Sequence, residues 1–190
     1  MKPFAATIAA LCFTLANPAL AQDADGNDTP GSWAVDHYKT FGIWKSICDS
    51  ADLKGTHVKR CYLRYVDVYS EDPEFAASFI FVYQEDGKTA FQYAYERGTK
   101  FEPDGLRVER DGAKAFIVDE RCSTTASGCK LRDTKSVTAT IEAFSGGGAL
   151  VQWFTDRHGK QQKLSWSLDG FARAYEDYRV QLAARGLPAG

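Results

Sequence analysis

Asp-Gly pairs between alternating apolar segments limit what this chain can fold into more than any other feature of its sequence. Two of the Asp-Gly pairs in the chain, Asp86-Gly87 and Asp111-Gly112, lie between such segments. Asp-Gly favours a two-residue hairpin turn, because that turn needs positive backbone φ angles that few residue types adopt. The flanking segments are rich in aromatic and β-branched residues, which favours strands. The two pairs therefore predict two antiparallel hairpins.

The same strand pattern recurs along most of the chain. In residues 136–144 the alternation is regular, with Val137, Ala139, Ile141 and Ala143 on one face. Strands are predicted within residues 41–49, 59–70, 76–98, 106–119, 136–144, 149–156 and 163–170. Many short strands separated by glycine turns predict an all-β fold, built as an antiparallel β-sandwich.

One segment near the C-terminus has a helical pattern instead. Its apolar residues recur at helical spacing and are Phe171, Ala174, Tyr175, Tyr178 and Leu182. Asp169 is the predicted N-cap and Gly186 the predicted stop signal. The fold class predicted from the residues is therefore an antiparallel β-sandwich with one C-terminal α-helix.

The N-terminus has the pattern of a secretory signal peptide. Lys2 precedes an apolar run over residues 4–15, and Ala19-Leu20-Ala21 has the small-x-small form that signal peptidase recognises. We predict a signal peptide over residues 1–21, cleaved after Ala21, which also removes Cys12. The apolar run is too short to span a bilayer comfortably.

The remaining chain divides into a polar lead-in and one domain. Residues 22–32 are rich in Asp and Gly and are predicted to be flexible, whereas residues 33–190 are predicted to form a single β-sandwich domain. No later stretch is apolar enough to cross a membrane, so we expect no integral membrane segment in the mature chain. The net charge of −2 makes nucleic acid an unexpected partner. The expected location is the periplasm or the outside of the cell.

Four cysteines remain after the predicted cleavage, namely Cys48, Cys61, Cys122 and Cys129. An even count in an oxidising compartment indicates disulfides, and four cysteines allow three pairings. The most local pairing, Cys48–Cys61 with Cys122–Cys129, is favoured. The spacing fits neither a thioredoxin-like redox pair nor a zinc site, because both need closer cysteines.

Motifs of catalysis are missing from the sequence. It contains no G-x-S-x-G, H-E-x-x-H, phosphate-loop or G-x-G-x-x-G pattern. Three histidines stand apart from one another near turns, and they are His37, His57 and His158. The acidic residues considered as acid and base groups fall at strand ends and turns, and they are Asp104, Asp111, Asp119 and Glu120. We therefore predict no catalytic residue, no metal ligand and no cofactor.

Aromatic residues make up 13% of the chain. Six of them alternate on the two strands around Asp86-Gly87, and they are Phe79, Phe81, Tyr83, Phe91, Tyr93 and Tyr95. Core packing is the expected role, and any that stay exposed would form a binding patch. A second candidate patch consists of Tyr62, Arg64, Tyr65 and Tyr69.

The order of these landmarks resembles the invasion-associated locus B family of exported proteobacterial proteins. The landmarks are Trp44-x-x-x-Cys48, Cys61, the strand pair from Phe79 to Glu96, Gly98-Thr99, Phe101, Cys122, Gly128-Cys129 and Leu168-x-Gly170-Phe171-x-x-Ala174. The resemblance implies an immunoglobulin-like sandwich and a periplasmic or secreted location. It implies structural roles for Trp44 and the cysteines, and it supplies no catalytic residue.

Three hypotheses for function follow from the sequence. The first is an exported, non-enzymatic protein that binds an envelope or extracellular protein. The second is a periplasmic enzyme whose site is assembled from distant strands, which would need a histidine and a carboxylate together in a pocket. The third is a thiol oxidoreductase, for which the cysteines would have to be readily reduced.

Overall fold

The computed structural model describes residues 33–70, 76–118 and 128–188. The predicted signal peptide, the lead-in and Cys122 lie outside these residues, as do Asp119 and Glu120. The strands of the described part are β1 (Ala34–Phe41), β2 (Trp44–Leu53), β3 (Thr56–Ser70), β4 (Ala76–Glu85), β5 (Lys88–Tyr95), β6 (Lys100–Arg110), β7 (Ala113–Ile117), β8 (Gly128–Leu131), β9 (Ala149–Thr155) and β10 (Gln161–Ser167). Its helices are α1 (Thr134–Ser145) and α2 (Phe171–Ala184).

The larger of the two sheets has six strands in the order β1-β2-β3-β4-β5-β8. Every neighbouring pair is antiparallel, and the first five strands follow one another as a meander. The hairpin between β4 and β5 turns at Asp86-Gly87, where φ is 51° and 75°. Asp111-Gly112 has the same angles between β6 and β7. Both predicted Asp-Gly turns are therefore confirmed.

The smaller sheet has four strands in the order β10-β9-β6-β7. Aromatic contacts join it to one face of the larger sheet: Tyr95 lies 5.5 Å from Phe154, and Tyr65 lies 6.1 Å from Trp166, between ring centres. The Tyr95 hydroxyl also donates a 3.0 Å hydrogen bond to Gln152. The predicted fold class, an antiparallel β-sandwich with a C-terminal helix, is confirmed.

Both helices pack on the same face of the larger sheet as the smaller sheet does. Helix α2 contacts β1, β2 and β3, while α1 contacts β5 and α2. The Trp44 ring in β2 lies 4.9 Å from Phe171 of α2 and 5.9 Å from Phe144 of α1. We call this side of the larger sheet the covered face. None of the described helices and strands packs against the opposite side, which we call the open face.

Helix α1 corrects the strand predicted over residues 136–144. Asp133 caps its N-terminus by accepting a 2.9 Å hydrogen bond from the Ser136 backbone N–H. Val137, Thr140 and Phe144 are buried at helical spacing, so the apolar residues face the core with period 3.6 rather than 2. The prediction of one helix is wrong, because the structure has α1 as well as α2. Gly146 caps the C-terminus of α1.

The C-terminal helix forms where it was predicted, but its first residues differ in detail. Gly170 is the N-cap, with φ 98° and no side-chain cap, so the predicted cap at Asp169 is wrong. A Cβ at Gly170 would lie 2.6 Å from the Phe41 carbonyl oxygen. Glycine therefore allows the helix to begin in direct contact with the turn between β1 and β2. Gly186 has φ 67° and follows the end of the helix, as predicted.

Cys48 and Cys61 form the predicted disulfide. The two residues are directly opposite each other on β2 and β3, and they are 0% and 3% exposed. Cys129 on β8 is also disulfide-bonded. Its predicted partner, Cys122, lies outside the described residues, so the pairing Cys122–Cys129 stays a prediction.

Replacing Cys48 and Cys61 together by alanine is expected to lower the free energy of unfolding by about 3 kcal/mol on the loop-entropy estimate. The bond closes a loop with a sequence separation of 13, and both thiols are buried. Urea unfolding of the oxidised protein and of the double variant measures the difference. Identical midpoints for the two proteins would contradict the prediction, and the circular dichroism of the variant should still report the sandwich.

Candidate functional site

The register of the larger sheet arranges the side chains of the open face in rows across the strands. Residues directly opposite each other on antiparallel strands point to the same face. One row, which we call the cationic row, consists of Lys45, Arg64, Phe81, Gln92 and Lys130. The neighbouring row, which we call the aromatic row, consists of Tyr38, Ile47, Tyr62 and Tyr83. Most of these side chains are half-buried, and Gln92 is exposed.

A groove of about 360 Å³ runs over the centre of this face. Its lining residues come from both rows and from Arg60, and they are Arg60, Tyr62, Arg64, Phe81, Tyr83 and Gln92. Planar guanidinium and aromatic groups therefore form most of its surface. Such groups can stack on flat ligand groups, and the guanidinium groups can also hydrogen-bond carboxylates.

A buried carboxylate holds one end of the groove in place. Asp49 is fully buried and accepts hydrogen bonds of 2.6 and 3.0 Å from Arg60 and of 3.3 Å from the Tyr62 hydroxyl. The Arg60 guanidinium also lies 3.7 Å from the ring centre of Trp33. The hydrogen bond to Asp49 raises the pKa of Arg60. Arg60 is therefore clamped between a carboxylate and an aromatic ring.

Tyr62 remains a hydrogen-bond donor throughout the physiological pH range. Burial raises the pKa of its hydroxyl to about 12, and the charge of Asp49 adds to the effect. The ring of Tyr62 lies 6.4 Å from that of Phe81, which joins the aromatic row to the cationic row. The hydroxyl and the rings of this region thus offer both donors and apolar surface.

At the other end of the groove, Glu85 links β8 to the β4–β5 hairpin. It accepts hydrogen bonds of 2.5 Å from Lys130 and 2.8 Å from Arg132. The hydrogen bond from Lys130 lowers the pKa of Glu85 and raises that of Lys130. The Lys130 ammonium also lies 5.2 Å from the ring centre of Tyr83. This contact orders a cation beside the aromatic row.

The structure brings together only part of the predicted patch. Tyr62 and Arg64 both lie on the open face and line the groove. Tyr65 lies on the covered face, where it is 2% exposed and its ring contacts Trp44 at 5.9 Å. The side chain of Tyr69 lies outside the described side chains. Sequence neighbours on a strand alternate between faces, and for that reason Tyr65 leaves the patch.

Core packing was the expected role of Phe81 and Tyr83, with a binding patch as the alternative, and the structure places both in the groove. The predicted turn at Asp86-Gly87 pairs Tyr83 with Ala90 and Phe81 with Gln92. Phe79, Phe81 and Tyr83 therefore point to the open face, whereas Phe91, Tyr93 and Tyr95 are buried on the covered face. The register set by that turn, together with alternation along each strand, assigns the six aromatic residues to these two faces.

A histidine and a carboxylate do meet elsewhere in the structure. His37 and Asp177 are joined by a 2.8 Å hydrogen bond, and Lys39 lies 3.4 Å from the same carboxylate. Burial alone would raise the pKa of Asp177, but the hydrogen bonds from His37 and Lys39 and the nearby Ser46 hydroxyl together lower it. The pair fastens β1 to α2, and it does not line the open-face groove. This arrangement holds the helix on the sheet.

Three of the other titratable residues considered from the sequence have local partners. His57 contacts Asp52 at 2.9 Å on an exposed hairpin tip, and His158 accepts a 3.1 Å hydrogen bond from Arg157. Asp104 binds Lys114 at 2.7 Å. In the part of the chain that the structure describes, no three His, Cys, Asp or Glu residues cluster as a metal site. None of the described helices has the length and apolar character needed to cross a bilayer.

A second polar region lies between the two sheets. Burial raises the pKa of Asp67, and the nearby Tyr65 hydroxyl and Trp166 indole N–H offset part of the rise. Ser78 and Gln152 are fully buried nearby, and Gln152 accepts the hydrogen bond from Tyr95. These groups form a polar layer inside an otherwise apolar interface.

The fold and the open face together define an antiparallel β-sandwich with an aromatic and cationic surface on its larger sheet. No family model matches the chain, and no curated protein matches it. A solved structure that matches is that of invasion associated protein B from Bartonella henselae, with 17% sequence identity and a TM-score of 0.44. The match covers 78% of this chain and 98% of that chain.

Replacing Asp49 by asparagine is expected to lower the pKa of Tyr62 from about 12, because the carboxylate charge raises that pKa. The loss of the Arg60 clamp should accompany the shift. Ultraviolet titration of tyrosine, with Tyr62→Phe to assign the signal, measures it. A Tyr62 titration that is the same with and without Asp49 would contradict the geometry.

The free energy of unfolding of Asp67→Asn is expected to increase relative to that of the parent as the pH rises. The pKa of Asp67 is raised in the folded protein. Its contribution to the free energy of unfolding is therefore fully present below the unfolded pKa of about 3.9, and it is lost as the pH rises through the folded pKa. Urea unfolding at several pH values between acid and neutral measures the difference between variant and parent. The surface carboxylate change Asp111→Asn is the matched control, and parallel curves for Asp67→Asn would contradict the prediction.

Proposed function

We propose that this chain is an exported, non-enzymatic binding protein that recognises an envelope or extracellular protein through the open face of its larger sheet. The observation that carries the proposal is the pair of rows that crosses this face. Tyrosine, tryptophan and arginine dominate the energetics of many protein interfaces. Here Tyr62, Tyr83 and Arg64 stand side by side at the centre of a groove.

Several side chains of the open face are held in fixed positions, which supports a binding role. Arg60 is clamped by Asp49 and Trp33, and Lys130 is held by Glu85. Side chains that are fixed before binding lose less conformational entropy when a partner arrives. The face is therefore prepared for binding in the free protein.

The composition of the groove supports binding rather than catalysis. Its six lining residues include no histidine, serine, cysteine or carboxylate. Nucleophilic and acid–base mechanisms usually draw on such groups within hydrogen-bond reach of each other. The groove also lies across a sheet face, which suits an extended or flat partner.

Export is supported by two features of the chain. Residues 1–21 have the pattern of a cleaved signal peptide. The buried Cys48–Cys61 bond is of the kind that forms and persists in oxidising compartments. The same bond holds β2 to β3, which carry Lys45, Tyr62 and Arg64.

Tyr83→Ala is expected to weaken partner capture at least about tenfold, because aromatic hot spots contribute about 2 kcal/mol or more to binding. The oxidised protein is immobilised, and proteins captured from envelope extract and from culture medium are quantified. Trp153→Ala is the matched control, since Trp153 is 39% exposed on the smaller sheet. Melting temperatures establish that both variants are folded.

Two outcomes of the capture experiment would contradict the proposed function. One is that no protein is recovered under conditions in which a known binder recovers its partner. The other is that Tyr83→Ala and Trp153→Ala retain equal amounts of the same partner. In the second case binding exists but does not use the open face.

A further inference from the structure

Two cations stand directly opposite each other at one end of the cationic row. Lys45 on β2 pairs in register with Arg64 on β3, and both side chains are half-buried. The Lys45 ammonium also lies 5.9 Å from the ring centre of Tyr38. The pair places two positive charges side by side at this end of the row, which suits contact with an anionic group.

Positive charge is concentrated on this face although the whole chain is slightly acidic. The net charge of the chain is −2. The described cations of the open face and its β8 edge include Lys45, Arg60, Arg64, Lys88, Lys130 and Arg132. The carboxylates paired with some of them are Asp49, bound by Arg60, and Glu85, bound by Lys130 and Arg132, so the cations outnumber these carboxylates. The field over the groove therefore favours an anionic partner.

The spacing of the row sets the reach of a ligand that follows it. Neighbouring strands lie about 4.8 Å apart, so Arg64 on β3 and Lys130 on β8 are three strands and about 14 Å apart. An extended polypeptide advances about 3.3 Å per residue, so carboxylates four residues apart are separated by about 13 Å. The side chains between the two cations are Phe81 and Gln92.

We propose that the open face binds an extended acidic polypeptide segment that crosses the strands along the cationic row. One carboxylate lies against Lys45 and Arg64, and another lies against Lys130. The amide of Gln92 hydrogen-bonds the peptide between them, and the rings of Tyr62 and Tyr83 pack along its edge. This inference rests on the proposed function and adds the chemistry of the partner.

A polypeptide accounts for the whole row better than a simple anion does. A guanidinium matches a carboxylate with two parallel hydrogen bonds. An amide such as Gln92 offers both donors and an acceptor, which is what a peptide backbone needs. The aromatic row adds apolar contact beside the charges. Other polyanions would use the cations alone, and they are outcomes of the test below.

Fluorescence anisotropy with a labelled hexaglutamate peptide tests the inference on the oxidised protein. We expect saturable binding that weakens as ionic strength rises, and no binding of labelled hexaglutamine. Arg64→Glu should weaken hexaglutamate binding at least about tenfold, because truncation or reversal of such a charge strongly affects recognition. Lys163→Glu, an exposed charge reversal on β10 of the smaller sheet, is the matched control and should change binding less than about twofold.

Stability separates a lost contact from a misfolded variant. The melting temperature of Arg64→Glu shows whether the variant folds before its binding is compared with that of the parent. Arg64→Gln removes the charge without reversing it, and it provides the binding measurement if the reversal variant does not fold. Binding by Arg64→Gln equal to that of the parent would overturn the inference.

The remaining outcomes distinguish this inference from the proposed function. Equal binding of hexaglutamine, or tighter binding of heparin or of a single-stranded oligonucleotide with the same dependence on Arg64, would overturn the acidic polypeptide. If Tyr83→Ala abolishes capture of a protein partner but Arg64→Glu and Arg64→Gln do not, the proposed function stands and the inference fails. If Tyr83→Ala has no effect on capture, the proposed function itself fails.

Discussion

The packing of Trp44 against both helices decides which side of the larger sheet is covered. Its ring contacts Phe171 of α2 and Phe144 of α1, and those two rings lie 5.2 Å from each other. Because side chains alternate along β2, the position of Trp44 toward the helices places Lys45 on the open face. A shift of register by one residue would exchange the two faces. The cationic and aromatic rows therefore depend on a contact in the core on the other side of the sheet.

Features that depend on local backbone chemistry were predictable from the sequence. Asp86-Gly87 and Asp111-Gly112 adopt the positive φ angles that their residue types favour, and α2 follows its helical pattern to the stop at Gly186. The strand predicted over residues 136–144 was wrong because the segment fits two patterns. Its alternation fits a strand, while Val137, Ile141 and Phe144 recur at helical spacing. Asp133, which caps α1, lies outside that window and decides between the two.

The candidate site was predictable only where it follows from alternation along one strand. Tyr62 and Arg64 are two residues apart and share a face, whereas Tyr65 is three residues from Tyr62 and faces the core. Lys130 enters the cationic row because β8 pairs with β5, and the chain between these strands passes through the smaller sheet. No local pattern encodes such a pairing, because it is set by the packing of distant elements.

An open sheet face with aromatic side chains needs protection from association with itself. Exposed apolar patches promote aggregation unless charges interrupt them. Two copies of this chain meeting face to face would bury Lys45 and Arg64 on both sides of the contact. The cationic row therefore disfavours self-association, and the acidic partner proposed above would gain from the same charges. Discrimination between partners is a difference of two free energies, and this row contributes to both of them with opposite signs.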